Sequence, residues 1–401
     1  MDILYIGYLL SEDQYLINGA ANTSGGIFEE GLLFELIEQI DACDTLTVFT
    51  LTPNDYFPKS KIYSKGNKEA TVRGINYQKI AYVNVPFVKQ AWMFFNLRVH
   101  IYRWIRSKGK SKKIIIQYNL GTPLAQAVNS LRKNVDGVFP IVCDYFVQQS
   151  NKSFKDFLHS RTAKAQEKYL KCATGAIVLN ECLAKDFDLK NYLIMEGAVS
   201  NQMLTHTESI SLPDETLKIR YAGAIDNLHG AKVLVELGKL IKRSTLKMEF
   251  AVAGRGNAQQ DIINASNVND NALKYVGMLN REEANKFISE ADVLLIPHQN
   301  SYKQLRYQFS SKMFDYMASG KYVIVSPMPG FPVDYQEYVC LAKSDTAQAF
   351  YEEICNLVKL EKTVVADKLY RAQQFAVQKR SWKHQASRLL EFINNLVRES
   401  D

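Results

Sequence analysis

Residues 309–325 read FSSKMFDYMASGKYVIV, a short amphipathic segment that ends in a glycine and is followed by an apolar, β-branched run. The pattern predicts a short helix with Lys312 in its first turn, a left-handed cap at Gly320 and a buried strand over 321–327. A lysine in the first turn opposes the helix dipole at a cost of about 0.3–1 kcal/mol. An anion bound at the same end would make the lysine favourable there, because the free backbone amides and the ammonium group would all contact the anion. The alternative is an exposed Lys312–Asp315 pair on a surface helix.

The composition is that of a soluble globular protein with room for two domains: 401 residues, 47% hydrophobic and 23% charged. The net charge of +7 suits an anionic ligand or an acidic membrane surface, but it is too small to indicate nucleic acid. The six cysteines are not spaced as metal ligands, which favours reduced thiols. No stretch is long and apolar enough to span a bilayer, and the amino terminus lacks a basic leader, so we expect a cytoplasmic protein.

Short apolar runs rich in β-branched and aromatic residues recur in two series, separated by the polar, proline-containing segment 207–219. Because the runs are continuously rather than alternately apolar, they predict parallel strands covered on both faces. The runs are 3–10, 46–52, 79–85, 113–119, 138–145, 175–180 and 191–197, then 219–225, 248–254, 273–277, 291–298, 321–327 and 338–342. With helical patterns between them, they predict an α/β protein of two Rossmann-like, doubly wound domains. The expected divisions are a first domain over 1–206, a linker at 207–217, a second domain over 218–375 and a C-terminal helix over 376–401.

Ligands of doubly wound folds bind at the carboxyl ends of the strands, and with two halves the expected site is the cleft between them. After the first predicted strand, Ser24, Gly25 and Gly26 immediately precede a helical pattern. Glycines there let backbone amides approach a ligand, although a tight turn without a ligand is the alternative. The spacing is neither that of a dinucleotide fingerprint nor that of a P-loop, which disfavours a nicotinamide dehydrogenase.

The segment 309–325 resembles the nucleotide-binding helix of GT-B glycosyltransferases, in particular glycosyltransferase family 4. The pattern of that family is roughly Pro-x-Lys-hydrophobic-Phe-Glu-Tyr-hydrophobic-Ala-x-Gly-Lys-Pro-Val-Val. Further similar segments follow in order: NTSGG (22–26), LIMEGAV (193–199), YAGAIDNLHGAKVLVEL (221–237), FAVAGRGN (250–257), YVGMLNREEANKFISEADVLLIPH (275–298) and WKHQASRLLEFI (382–393). The resemblance implies a GT-B fold, with two Rossmann-like domains facing across a cleft and a closing helix that packs back on the first domain.

The resemblance also implies an activity: transfer of a sugar from a nucleotide diphosphate sugar, UDP- or GDP-linked, usually with retention and with the departing diphosphate as the base. No cofactor or metal is expected, and DFD at 186–188 lies in a helical pattern rather than at a strand end. The candidate catalytic residues are Asp144, near the family's sugar-side His or Asp, and Lys312. The other candidate donor-site residues are Gly25, Gly26, Arg255, Gly277, Met278, Phe309, Ser310, Ser311 and Asp315. In the family pattern Asp315 binds the ribose, Ser310, Ser311 and Lys312 the diphosphate, and Gly277 and Met278 the base.

Three positions depart from the family pattern. Ala224 and His229 stand where an Arg and a Lys usually bind phosphate, and Tyr307 stands in place of the first glutamate. Arg255, Lys303 or Arg306 could compensate for the lost cations, and His229 is either a neutral donor to phosphate or a structural turn residue. These departures keep open a non-catalytic GT-B partner module, and a nucleotide-sugar epimerase is the other alternative. Ser310 and Ser311 are both suited to capping the helix.

Residues 86–113 combine aromatic and basic side chains, and no acidic residue lies between Lys89 and Lys113. Trp92, Phe95, Val99 and Tyr102 recur at helical spacing. A basic, aromatic amphipathic helix is typical of proteins that dock on an anionic bilayer, and a crossover helix packed in the core is the alternative. Membrane contact would suit a lipid-linked acceptor on the cytoplasmic leaflet and a peripheral enzyme of surface polysaccharide or glycolipid synthesis.

Overall fold

The computed structural model describes residues 1–9, 24–41, 44–52, 54–72, 74–86, 88–145, 154–199 and 216–398. The chain divides into two compact units, Met1–Gly197 with Trp382–Asp401, and Ala198–Ser381. Most of the expected linker, 207–217, lies outside the described residues. The boundary expected at residue 376 falls within a helix.

The first unit is built on a sheet in which most strands are parallel. Its strands are β1 (Asp2–Gly7), β2 (Thr45–Thr50), β3 (Tyr63–Ser64), β4 (Asn67–Val72), β5 (Ile75–Lys79), β6 (Tyr82–Val83), β7 (Lys113–Tyr118), β8 (Gly137–Val142), β9 (Ala176–Val178) and β10 (Tyr192–Ile194). Its helices are α1 (Ser24–Gln39), α2 (Val88–Ser107), α3 (Thr122–Leu131), α4 (Phe154–Lys171) and α5 (Glu181–Asp186), with a 3-10 turn at Arg132–Asn134. The sheet order is β10-β9-β8-β7-β1-β2-β5-β4. Every residue of the central strand β1 is buried, as expected of a strand covered on both faces.

One edge of this sheet differs from the prediction. The run 79–85 is predicted to form one parallel strand, but Lys79 is the last residue of β5, and Tyr82–Val83 pairs with β3 in a separate antiparallel ribbon. The parallel partner of β2 is instead β5, which continues into an antiparallel hairpin with β4. Ile75 and Tyr77 are buried while Asn76 is exposed, so β5 alternates in the manner of a half-covered edge strand. A strand that alternates in this way contains no continuous apolar run, so the sequence pattern did not predict β5.

The helix that closes the chain packs on the first unit. Trp382 opens helix α13 (Trp382–Arg398), and its ring meets that of Phe28 edge to face at 4.8 Å. A Cβ at Gly31 would lie 2.2 Å from the Trp382 indole nitrogen, so a glycine is needed for this close approach. Further along α13, Gln385 donates to the Gly197 carbonyl at 2.8 Å.

The second unit has a parallel sheet with the order β13-β12-β11-β14-β15-β16, where the strands are β11 (Leu217–Ala224), β12 (Met248–Arg255), β13 (Leu273–Gly277), β14 (Val293–Ile296), β15 (Tyr322–Val325) and β16 (Cys340–Leu341). Its helices are α6 (Ala231–Lys242), α7 (Gln259–Ser266), α8 (Arg281–Ser289), α9 (Lys312–Ala318), α10 (Val333–Gln336), α11 (Ala347–Leu357) and α12 (Lys362–Lys379), with a 3-10 turn at Lys303–Tyr307. The strand order runs outward from β11 to β13 and then reverses from β14 to β16. Ligands bind doubly wound sheets at such a reversal, beyond the carboxyl ends of the strands.

Among the helices that the structure describes, none is long and apolar enough to cross a membrane. Within the same residues, no three His, Cys, Asp or Glu side chains gather as a set able to hold a metal ion.

Candidate functional site

Lys312 lies at the reversal point of the second sheet. It is the first residue of α9, whose buried Met313, Phe314 and Met317 fix the helix in the core. The helix ends before Gly320, which has the predicted left-handed conformation at φ 67°. The half-buried Lys312 extends to the carboxyl end of β11, where its Nζ donates to the Tyr221 hydroxyl at 2.9 Å.

The surroundings of the Lys312 ammonium group are crowded and apolar. Its Nζ lies 4.1 Å from the centre of the Tyr221 ring, and a Cβ at Gly223 would lie 2.1 Å from Nζ. The expected alternative, a surface ion pair between Lys312 and Asp315, is not present among the described residues. Burial lowers the pKa of Lys312 to about 7, while the nearby carboxylate of Asp226 acts in the opposite direction. A bound anion would restore the charged form.

His229 and Asp226 form a turn beside this lysine. The Nδ1 of His229 lies 2.7 Å from Asp226 Oδ1, and the backbone amide of His229 donates to the same oxygen at 2.9 Å. Because a carboxylate only accepts, Nδ1 carries the proton, and a neutral ring presents a lone pair at Nε2. Burial and the Lys312 charge lower the pKa of His229. Donation from Nε2 to a phosphate therefore requires the imidazolium form.

A second histidine, His298, completes the cluster from the end of β14. Its ring packs edge to face against that of His229 at 5.1 Å, and its Nδ1 lies 3.0 Å from the Met328 sulfur. Burial, Lys312 and His229 together lower the pKa of His298 well below its usual value. His298 is therefore neutral at pH 7 and fixes the position of the His229 ring by packing.

The floor of the site is bare backbone. A Cβ at Gly254, at the end of β12, would lie 1.8 Å from the Gly223 carbonyl oxygen, and Gly254 has φ 135°. A side chain at Gly254 would therefore collide with the end of β11, and a glycine is needed there. The exposed Ala224 follows Gly223, and its carbonyl accepts a hydrogen bond from the Tyr221 hydroxyl at 2.5 Å. A ligand beneath which these strands end would thus meet main chain on this side and the Lys312 side chain on the other.

The other predicted residues of the second unit are placed as follows. Arg255 and Met278 are exposed at the ends of β12 and β13, and Gly277, at φ 88°, has open space where a Cβ would lie. Tyr307 ends the 3-10 turn before the helix and is half-buried, as is Asp315 within α9.

One expectation near the helix start is wrong, and the donor-site prediction for Phe309 stays a prediction. The prediction that Ser311 caps α9 through its side chain is wrong, because Ser311 is itself helical and its hydroxyl makes no capping bond, while Ser310 is buried. Phe309 packs against Phe314 at 5.5 Å and Tyr335 at 5.2 Å, so its side chain is part of an aromatic cluster.

In the first unit, α1 begins at Ser24, so Gly25 and Gly26 lie in its first turn. Asp144 is exposed after β8, and its carboxylate accepts from the Asn119 amide at 3.2 Å. The Asn119 side-chain oxygen accepts in turn from the backbone amide of Asp144 at 2.9 Å. Asn119 has the left-handed φ of 58° and positions Asp144 at the strand end.

Four of these residues were not predicted from the sequence: Tyr221, Asp226, His298 and Asn119. The spacing in IDNLHG could have indicated the Asp226–His229 contact, because Asp226 precedes His229 by three residues and a turn brings two such side chains together. No local sequence pattern indicates Tyr221 or His298, because they reach the site from strands that are distant in sequence.

Residues 216–359 match the family described as glycosyl transferases group 1. The matched range includes Lys312 and the residues around it: Tyr221, Asp226, His229 and His298. No curated protein sequence matches the chain.

Solved structures match nearly the full chain at low identity. Sucrose-phosphate synthase from Thermosynechococcus elongatus is 15% identical, with a TM-score of 0.68 and 99% of each chain covered. Anabaena Alr3699/HepE in complex with UDP is 11% identical, with a TM-score of 0.64 over 98% of this chain and 100% of that one. An E. coli structure described as trehalose-6-phosphate bound with UDP-2-fluoro glucose is 11% identical, with a TM-score of 0.65 and 99% of each chain covered. The predicted GT-B class of fold and the resemblance to group 1 glycosyltransferases are confirmed.

Proposed function

We propose that this protein is a glycosyltransferase that moves a sugar from a UDP- or GDP-linked donor to a sugar or lipid-linked acceptor, with retention at the anomeric carbon. The observation that carries the proposal is the desolvated Lys312 ammonium at the reversal point of a group 1 domain. Burial of a cation is costly, and the nearby carboxylate of Asp226 offsets only part of the cost, because the pKa of Lys312 is still lowered. An arriving diphosphate compensates for the rest. Two of the structurally similar proteins were solved with UDP or a UDP sugar, which supports a uridine donor.

In this proposal Lys312 stabilises the charge that develops on the departing diphosphate, which is the main task of the protein in such a transfer. The imidazolium form of His229, held by Asp226, adds a second donor through Nε2. The open backbone at Gly223 accommodates the phosphates, while Gly277 and Met278 bind the base and Asp315 the ribose. Asp144 lies beside the transferred sugar, and the first unit binds the acceptor.

A thermal-shift screen tests the donor. The protein is melted with UDP, GDP, their sugar derivatives and uridine, which lacks the diphosphate. At about 100 times the dissociation constant, a true donor raises the free energy of unfolding by about 2.7 kcal/mol. We expect stabilisation by one nucleoside diphosphate and its sugars, and none by uridine.

The same screen separates the alternatives when it is followed by product analysis. Stabilisation with neither transfer nor hydrolysis of any donor in the panel would indicate a non-catalytic partner module, which the replacements at Ala224 and Tyr307 favour. Conversion of the donor without an acceptor would indicate an epimerase. If no nucleotide stabilises the protein, the transferase proposal is wrong.

We further propose that helix α2 contacts an anionic membrane at the cytoplasmic face, where surface polysaccharide or glycolipid precursors are assembled. The helix buries one face through residues that include Met93, Leu97 and Trp104. The opposite face carries an exposed apolar stripe, each member of which is at least 42% exposed: Val88, Trp92, Phe95, Val99 and Tyr102. Exposed basic residues lie on and beside the stripe: Arg98, Arg103 and Arg106. This combination of an exposed aromatic stripe with flanking cations favours a bilayer surface over a core position.

Vesicle flotation tests this contact. Because Phe95 is 62% exposed, Phe95→Ser leaves the fold intact and removes the most exposed ring of the stripe. We expect retention on phosphatidylglycerol-containing vesicles to fall by about tenfold, since burying a Phe contributes roughly 1.5–3 kcal/mol. Tyr370→Ser, at an exposed aromatic residue on α12 of the other unit, is the matched control and leaves retention unchanged. Absence of wild-type retention on both neutral and anionic vesicles would rule out the contact.

A further inference from the structure

The first unit contains a cavity that the proposed transfer does not use. It has a volume of about 500 Å³ and lies between helix α2 and the β2–β5 side of the sheet. Its lining includes Phe49, Lys79, Asn96, His100, Arg103 and Trp104. Asn96, His100 and Arg103 lie on the flank of the helix, between its exposed stripe and its buried face, to which Trp104 belongs.

Two cations of this cavity have no partner among the residues that the structure describes. Neither the Lys79 ammonium nor the Arg103 guanidinium makes a hydrogen bond or ion pair with any of them, and the described lining residues include no carboxylate. Partial burial lowers the pKa of Lys79, as expected of a cation without a counter-charge. An ammonium and a guanidinium that share one cavity form a binding site for a phosphate group.

The remaining lining groups favour a ligand that also carries hydroxyls. His100 Nδ1 lies 2.8 Å from the Asn96 carbonyl, so Nδ1 is the donor and Nε2 remains available. The Asn96 amide group donates to the Ala81 carbonyl at 2.7 Å, which leaves its side-chain oxygen as an acceptor. The indole of Trp104 is held by a bond to Thr47 at 3.2 Å and forms a rigid apolar wall.

The cavity adjoins the proposed membrane contact. Arg103, one of the exposed basic residues beside the stripe, also lines the cavity. The opposite flank of α2 is closed by α3, where Arg98 Nε donates to Ser130 at 3.1 Å. A headgroup of the bilayer surface can therefore enter from one side of the helix only.

We propose that this cavity binds the glycerol phosphate headgroup of an anionic membrane phospholipid. The phosphate lies between Lys79 and Arg103, and the glycerol hydroxyls meet Asn96 and His100. The inference rests on the membrane contact proposed for α2 and is independent of the donor chemistry. It makes the contact selective for a headgroup rather than for negative charge alone.

Flotation with two kinds of anionic vesicle tests the proposal. Wild type, Lys79→Gln and Arg103→Gln are compared on phosphatidylcholine mixed with either phosphatidylglycerol or phosphatidylserine. Removal of one surface charge worth roughly 1 kcal/mol lowers retention on either anionic lipid by about fivefold. On phosphatidylglycerol we expect each variant to lose clearly more than that, because its charge-assisted contact with the bound headgroup is lost as well. Lys190→Gln is the matched control, because the exposed Lys190 precedes β10 at the opposite edge of the sheet.

A second pair of variants separates the cavity from simple charge. Ser107 also lines the cavity and is exposed, so Ser107→Gln narrows it without altering charge, and Ser107→Ala keeps it open. We expect only Ser107→Gln to lose the preference for phosphatidylglycerol. Equal losses on the two anionic lipids, or an unchanged preference in Ser107→Gln, would overturn the headgroup site. Phe95→Ser lowers retention on every vesicle, so failure of the membrane contact is distinguishable from failure of the cavity.

Discussion

Replacing Lys312 by methionine lowers kcat/KM for sugar transfer by about a hundredfold or more. Methionine keeps the unbranched stem that packs on Tyr221 but removes the ammonium group. Loss of one preorganised donor to a developing negative charge typically costs about 10²–10³ in rate. The measurement is steady-state transfer or donor hydrolysis, with the donor identified by the thermal-shift screen.

The structural role of Lys312 is separable from its chemical role. A desolvated ammonium does not stabilise the free protein, so Lys312→Met melts at the same temperature as wild type or higher. Lys247→Met is the matched control, because the exposed Lys247 precedes β12 at the amino-terminal edge of the same sheet. A variant that keeps its fold and also keeps wild-type turnover would refute the role of Lys312 in the proposed transfer.

The pH dependence of nucleotide binding gives an independent readout of the same residue. The pKa of Lys312 is about 7 in the free protein, and a bound diphosphate raises it. Below pH 7 the lysine is already charged, so its contribution to the affinity is constant. Above pH 7 binding must take up a proton, and the affinity for the nucleoside diphosphate falls by up to about tenfold per pH unit. Lys312→Met loses this component of the fall, and the part that remains is due to protonation of His229 on binding.

The residues show why much of the fold was predictable and part of the site was not. The parallel strands were found because continuous apolar runs require cover on both faces, and the turn at Gly320 was found because a glycine ended an amphipathic segment. The hairpin of β4 and β5 was missed, since its alternation is a weak signal in a sequence dominated by continuous runs. The contact between Lys312 and Tyr221 joins residues 91 positions apart, and no local pattern records it.

A different limit applies to His229. The sequence indicates His229 as a candidate phosphate ligand, but it does not predict which ring nitrogen carries the proton or whether the ring is charged. The tautomer depends on Asp226, and the pKa depends on burial and on the charge of Lys312.

For helix α2 too, the sequence pattern leaves a structural question open. Periodicity identified the repeat of Trp92, Phe95, Val99 and Tyr102, but a core face and an exposed stripe have the same spacing. Only the packing of Met93 and Leu97 on the other side shows that the aromatic repeat is exposed.

The stability of the first unit falls as the pH rises from about 4.5 to about 8, and the cause is a single carboxyl group. Glu29 is 1% exposed, next to Gly7, where a Cβ would lie 1.8 Å from the carboxyl oxygen. The Tyr5 hydroxyl donates to it at 3.1 Å and the Tyr8 amide at 2.9 Å, but burial outweighs these bonds and raises its pKa to about 8. In this window the folded protein keeps a proton that the unfolded chain releases, so stability decreases as the pH rises. At about 1.4 kcal/mol for each unit of pKa shift, the change from 4.5 to about 8 amounts to roughly 5 kcal/mol.

Glu29→Gln removes this dependence because the amide is neutral at every pH, and its carbonyl oxygen still accepts from Tyr5 and Tyr8. Urea unfolding of the first unit, followed from pH 5 to pH 9, measures the slope. We expect the variant to be more stable than wild type at pH 9, and the difference to shrink toward pH 5. Glu38→Gln, at an exposed position of the same helix, is the control and keeps the wild-type slope. Parallel pH profiles for wild type and Glu29→Gln would mean that the carboxyl group is ionised in the folded state and that its three hydrogen bonds outweigh burial.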